Sequence, residues 1–237
     1  MPDLKEEVAA LAMPSVELFL EKSESESFSE ISGCFGGIPY MQPDERWPTC
    51  SACASPLDFV CQLSIEKIDI RFNFITFFYC WECNPLGTEK EKKGMWQARL
   101  YKKVDKKNWL PQANPAEPVT LPCRLHYRDV TSFPDFSGLS VLHPEIFRNF
   151  DTEDGAEQYE NIIEELTELE GYTFTGGYPQ FIEFADFPAC TECQGRMQLL
   201  LQIDSEEEAD LIWGRSGCAY LFYCKLHPRE LQLRVQF

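Results

Sequence analysis

Seven of the eleven cysteines and one of the three histidines fall into two groups whose spacing suits metal coordination. The first is Cys50-x2-Cys53 followed by Cys80-x2-Cys83; the second is Cys190-x2-Cys193 followed by Cys224-x2-His227. A Cys-x2-Cys on a tight turn aims two thiolates at one point. A second such pair completes a tetrahedron, which zinc accepts with sulfur at about 2.3 Å. Each set is closed, with four protein ligands and no position kept for water. The pattern therefore points to two structural zinc ions per chain and not to a catalytic metal. For the four-cysteine set, an iron centre of the four-thiolate type is the alternative. Small buried thiols are common singly, but that alone does not produce two groups in register.

The remaining chemistry-bearing residues say less. Cys61 and Cys218 fall in apolar runs and read as core; Cys34 and Cys123 are the other two cysteines outside the groups. Cys123 precedes His126 by three positions, but residues i and i+3 of a strand face opposite sides, so a thiol–imidazole pair there requires a turn. His143, before Pro144, reads as a loop residue. Gly36-Gly37-x-Pro39 and Gly176-Gly177-x-Pro179 lack the following helix and Lys-Ser/Thr of a phosphate loop, and read as turns needing positive φ. Gln62 and Gln202 share one offset, which fits a buried hydrogen bond to a neighbouring turn or, alternatively, a polar pair in a shared cleft.

Elements must bring the ligand pairs together, and a repeat shows how. Displaced by 140 positions, Gly36, Gly37, Pro39, Pro48, Cys50, Cys53 and Gln62 fall on Gly176, Gly177, Pro179, Pro188, Cys190, Cys193 and Gln202. That is seven identities in 27 positions, where ordinary composition gives roughly two. After a four-residue difference in loop length, Phe78-Tyr79-Cys80 falls on Phe222-Tyr223-Cys224, and Gln97-x-Arg99 resembles Gln232-x-Arg234. Agreement in spacing as well as type reads as an internal duplication.

Leu57, Phe59, Cys61 and Leu63 alternate with Asp58, Val60 and Gln62, the pattern of a strand with one apolar face; Met197, Leu199, Leu201 and Ile203 repeat it. Residues 72–80 are apolar on both faces apart from Asn73 and Thr76, and predict a central strand with 218–224 as its counterpart. Residues 95–101 and 231–237 read as third strands, and 16–21 as a strand near the N-terminus. The stretch 108–120, with three prolines, reads as a connection. Residues 151–171 hold nine acidic side chains and no basic one, with Tyr159, Ile162, Ile163, Leu166 and Leu169 at helical spacing. They predict one amphipathic helix with an acidic outer face and Gly171 just past its end. The expected fold is α+β, mainly antiparallel β, in one domain: a first half over 14–108, a connection with the acidic helix over 109–171, and a second half over 172–237.

At 237 residues, 44% of them hydrophobic and 14% aromatic, the chain can bury a core. No apolar run reaches the length of about 18 residues that a membrane helix needs, and the N-terminus has no basic-then-apolar signal pattern. A cytoplasmic location, where thiols stay reduced, is expected. The net charge of −18 disfavours nucleic acid and anionic membrane surfaces as partners, and makes a basic protein client the natural one. Residues 90–107 are a local exception with eight basic side chains, read as a solvated face.

Phe35-Gly36-Gly37-Ile38-Pro39-Tyr40, Trp47-Pro48 and the run from Leu57 to Leu63 resemble the opening of YwqG-family proteins; Gly177-Tyr178-Pro179, the run from Leu199 to Ser205 and Trp213-Gly214-x-x-Gly217 agree in the second half. The chain departs from the family's common pattern with Arg215 where an acidic residue often stands, and with cysteine pairs that many members lack. The cysteine-containing arrangement is similar to the programmed cell death protein 2 family. The first resemblance implies no established enzymatic activity and a proposed immunity role against secreted toxins; the second implies chaperoning of a basic ribosomal protein. Both imply binding of a protein client. The competing expectation is a hydrolase or transferase acting on a small molecule between the halves, with Gln62, Gln202 and a carboxylate such as Asp58 or Asp204. The residues point to no oligomeric state.

Overall fold

A computed structural model of the chain describes residues 4–23, 33–83, 94–105, 115 and 117–237. The apolar runs become strands β1 (Met13–Lys22), β2 (Cys34–Phe35), β3 (Asp58–Ser64), β4 (Phe74–Tyr79), β5 (Trp96–Tyr101), β6 (Cys123–Ser132), β7 (Phe174–Gly176), β8 (Gln198–Asp204), β9 (Cys218–Tyr223) and β10 (Leu231–Gln236). Helices α1 (Leu4–Ala9), α2 (Phe136–Leu142), α3 (Pro144–Phe147) and α4 (Gly155–Leu166) accompany them. The strands form one antiparallel sheet in the order β10-β9-β8-β7-β1-β6-β2-β3-β4-β5.

The order is balanced about the β1–β6 seam. Outward from β6 run β2, β3, β4 and β5; outward from β1 run β7, β8, β9 and β10. Cys34 faces Gln62 as Phe174 faces Gln202, and Phe35 faces Cys123 on β6 as Thr175 faces Val16 on β1. Each leading strand borders the other half's block: β1 precedes the first block in sequence but lies beside β7, and β6 precedes the second but lies beside β2.

The two arms of the sheet coil towards each other into a nearly closed barrel. Its interior is one apolar cluster drawing Val60, Ile75 and Tyr79 from one arm and Leu201, Leu221 and Leu233 from the other. Trp213 joins them, wholly buried, with its ring 5.0 Å from Tyr79 and 4.9 Å from Trp81. Burying a side chain of this kind stabilises by about 1.5–3 kcal/mol.

Three expectations change in the structure. The strands holding Gln62 and Gln202 are buried on both faces, between the interior and the cysteine groups, and each carries a bulge, at Phe59/Cys61 and at Leu199/Leu201. The extra residue reverses the alternation: Leu57 and Phe59 pack outward on the first cysteine group, whereas Cys61 and Leu63 face the interior. The segment read as part of the connection contributes β6, one of the two longest strands. The acidic helix is shorter than expected, ending at Leu166. Thr167 is extended there and gives its hydroxyl to the Thr131 carbonyl, and Glu17 takes the N–H groups of Glu170 and Gly171. Leu169 leaves the helix and packs on the second cysteine group. Tyr159, Ile162, Ile163 and Leu166 form the predicted apolar stripe and pack with Val8, Leu139 and Phe150, and the Tyr159 hydroxyl donates to the Pro134 carbonyl at 2.8 Å. Much of the basic stretch 90–107 and of the proline-containing connection 108–120 lies outside the described residues.

Candidate metal centres

Each hairpin returns the chain to its own cysteine turn. Cys50 and Cys53 lie on a turn before β3, and Cys80 and Cys83 follow β4; Cys190 and Cys193 lie before β8, and Cys224 and His227 follow β9. The leading turns match atom for atom: the Cys50 N–H donates to the Ser55 carbonyl and the Cys190 N–H to the Gly195 carbonyl, both at 2.8 Å. Ala54 and Gln194 close them at φ of 62° and 58°. That left-handed geometry folds the chain back under the ligands, at some strain for a residue with a Cβ.

In each group one ligand atom per residue lies within 4.8 Å of the others. The Sγ atoms of Cys50 and Cys83 are 3.5 Å apart, those of Cys53 and Cys80 3.6 Å, and those of Cys193 and Cys224 3.7 Å. His227 Nδ1 is 3.6 Å from Cys190 Sγ and 3.7 Å from Cys224 Sγ. A tetrahedron with sulfur about 2.3 Å from its centre has edges of about 3.8 Å, and a sulfur–imidazole edge is about 3.6 Å. Disulfide bonding would bring sulfurs to about 2.05 Å, and all eleven cysteines are free. The geometry is thus that of a ligand set, and both groups fit a tetrahedral ion.

Local hydrogen bonds favour the thiolate. Burial opposes ionisation of Cys50, but the N–H groups of Cys53 and Ala52 and the thiols of Cys80 and Cys83 outweigh it and bring its pKa down to about 7. Burial likewise opposes Cys190, and the N–H groups of Cys193 and Glu192 with the Cys224 and His227 side chains bring it to about 6. Through its contacts with Cys50 and Cys53, Cys83 is pushed up to about 11. A bound cation would displace the remaining protons. Beneath the groups lie matching apolar beds, Trp47, Phe59 and Phe78 in one half and Phe187, Leu199 and Phe222 in the other.

The other candidate residues separate. Cys34, Cys61 and Cys218 are buried, and burial raises all three thiols. Cys123 faces the interior, where its thiol donates to the Glu208 carbonyl at 3.2 Å, while exposed His126 pairs with Glu21 at 2.7 Å. The two point opposite ways from an unbroken strand and form no couple. His143 joins α2 to α3, with Nε2 3.4 Å from the Tyr178 hydroxyl. Gln62 Oε1 accepts from the Tyr40 N–H at 2.5 Å, and Gln202 Oε1 from the Gln180 N–H at 2.9 Å. Each glutamine is thus engaged by the turn of its own half, and the strand order puts four strands between β3 and β8. Asp204 accepts from the Ser205 N–H and the Cys218 thiol. Gly36, Gly37, Gly176 and Gly177 all have positive φ, which is what their turns require.

Two features escaped the sequence. Glu17, wholly buried on β1, accepts from Arg128 on β6 and from the backbone of 170–171. Its signal was a lone charge inside the apolar run Val16 to Leu20. The second is a cleft of about 660 Å³ between the halves, where β1 and β8 part beyond the short β7. Pro14, Val16, Gly176 and Tyr223 line it on one side, and Ile68 on the β3–β4 turn of the other half closes it. Its mouth carries Lys67 paired with Asp129, and Lys225 paired with Asp69.

No helix among the described residues is long and apolar enough to cross a membrane. No curated protein matches the chain. A family model matches residues 34–229, a span that contains both ligand groups. The chain belongs to that family, the domain of unknown function DUF1963.

Proposed function

We propose that this chain is a non-catalytic protein-binding module whose two similar halves arose by duplication and are each held by a structural zinc ion. The two closed ligand sets carry this reading: with Cys50, Cys53, Cys80 and Cys83 in one and Cys190, Cys193, Cys224 and His227 in the other, all four tetrahedral positions belong to the protein. An ion so enclosed organises the chain and offers a substrate no coordination site. Thiolate and imidazole ligands in this geometry suit zinc. The shared 140-residue offset, matched bulges and matched glutamine contacts support duplication.

A basic protein client is supported by charge and by exposure. Glu157, Glu160, Glu164 and Glu168 stand exposed on or beside α4, and Glu207, Glu208 and Asp210 stand exposed on the turn after β8. The similarity to YwqG-family and programmed cell death protein 2 proteins agrees with a cytoplasmic protein-binding role.

Protein grown without added metal is expected to contain two zinc ions per chain by elemental analysis, one per group. A fully stable, metal-free native preparation would sink the proposal. The client itself is tested by capture from the source cell. One basic protein is expected at stoichiometric ratio, associating more slowly as salt rises. Glu160→Lys, Glu164→Lys and Glu168→Lys together are expected to slow that association several-fold while leaving the circular dichroism spectrum unchanged. Salt-independent association unaffected by these changes would rule out the acidic surface. Turnover of a small molecule by the isolated chain would favour an enzyme instead.

A further inference from the structure

The near-symmetry of the halves gives the cleft a counterpart, and the counterpart is full. The loop between β8 and β9 has thirteen residues, 205–217; its equivalent between β3 and β4 has nine, 65–73. The longer loop crosses to the first half. There Ala209 accepts from the Leu121 N–H at 2.8 Å, and Trp213 wedges against Tyr79 and Trp81 with no exposed surface. The shorter loop crosses to the second half in the same way but carries no tryptophan, and the cleft is the space left over. Two paired positions show the difference. A Cβ on Gly36 would lie 2.3 Å from the Thr120 carbonyl oxygen, whereas one on Gly176 would meet nothing closer than Ile68 at 3.6 Å. Tyr223, which lines the cleft, is the counterpart of Tyr79, the ring that Trp213 packs against.

We propose that the cleft receives an aromatic side chain, indole above all, from a bound polypeptide, in the place where Trp213 lies in the other half. The volume, the apolar wall of Val16, Ile68, Met197 and Tyr223, and the charged mouth suit a flat apolar group carried on a polar backbone. Anchoring is through the side chain: Pro14 replaces a main-chain donor at this edge, as the counterpart of Leu121. This deepens the protein-binding reading by naming its surface, and it is tested without any client, so the two can fail separately.

The probe is N-acetyl-tryptophanamide, followed through methionine methyl resonances of the full chain. Met13 and Met197 line the cleft; Met41 and Met95 lie in the first half and serve as controls. Saturable shifts are expected at Met13 and Met197 only, with a Kd of about 0.1–1 mM. N-acetyl-leucinamide should bind about fivefold more weakly. Ile68→Trp, which supplies the missing indole from within, should abolish the response. Absence of saturable shifts in the unmodified chain overturns the proposal, as does equal binding of the leucine probe. So does binding of free indole with exclusion of the amide, which would mark a small-molecule cavity.

Discussion

A single side chain, Glu206, gives the stability of this protein a pH dependence. It lies half-buried where the long loop leaves β8, accepting from the Thr173 hydroxyl. Burial, against that hydrogen bond and helped by nearby Asp204 and Glu208, raises its pKa from 4.5 to about 7. Within that window the folded chain holds a proton that the unfolded chain has released. Stability is therefore full below about pH 4.5 and is lost as pH rises through 7. After allowance for solvent screening, the effect is about 1–2 kcal/mol. Glu206→Gln is expected to remove this slope and to stabilise by that amount at pH 8 relative to pH 5, read from urea denaturation at both pH values. An unchanged slope would show that another group carries it.

At the level of elements, the β1–β6 seam depends on Glu17. Its carboxylate accepts from Arg128 Nε at 3.0 Å and from the Glu170 N–H at 3.0 Å, tying the central pair of strands to the segment that unwinds after α4. Glu17→Ala removes a buried carboxylate and leaves the Arg128 guanidinium and the N–H groups of Glu170 and Gly171 without this acceptor, and is expected to cost about 2–4 kcal/mol in chemical denaturation. A loss well under 1 kcal/mol would mean that water takes over the contact. The same contact explains why the helix end was hidden from the sequence. The apolar spacing continues to Leu169, and contacts distant in sequence, with the Thr131 carbonyl and with a carboxylate some 150 residues away, hold the backbone out of the helix. The hairpins and both ligand turns were legible because their signals are local: alternation, Cys-x2-Cys, and glycine pairs where φ must be positive. The bulges were not, since a bulge exists only relative to a partner strand. The strand β6 was readable in principle, with Cys123, Leu125 and Tyr127 alternating with Arg124, His126 and Arg128, but its polar face resembled a connection.

Across the whole molecule, the two ligand groups lie on opposite arms of the sheet and share no residue. They should empty independently. Cys53 and Cys193 are the exposed members of their sets, so a serine there disturbs little besides coordination. Cys53→Ser and Cys193→Ser are each expected to retain one zinc ion per chain and to lower the melting temperature by on the order of 10 °C. The double substitution should retain no zinc. If one substitution emptied both groups, the arms would have to communicate through the barrel interior, contrary to their separate apolar beds.

The crossed leading strands also dictate an order of events during synthesis. Met13 pairs with Ser132, 119 residues later, so β1 leaves the ribosome long before either neighbour exists. At about 5–20 residues per second, that strand waits many seconds for its seam. The first cysteine group needs only residues 50–83, so its four ligands can come together while β1 is still unpaired. A nascent chain cut off before residue 123 would leave β1 with neither of its neighbours and one edge of β2 open, which the finished protein covers with β6. Neither half is therefore expected to fold when expressed by itself: β1 of the first half lies beside β7 of the second, and β6, from the connection, covers the open edge of β2.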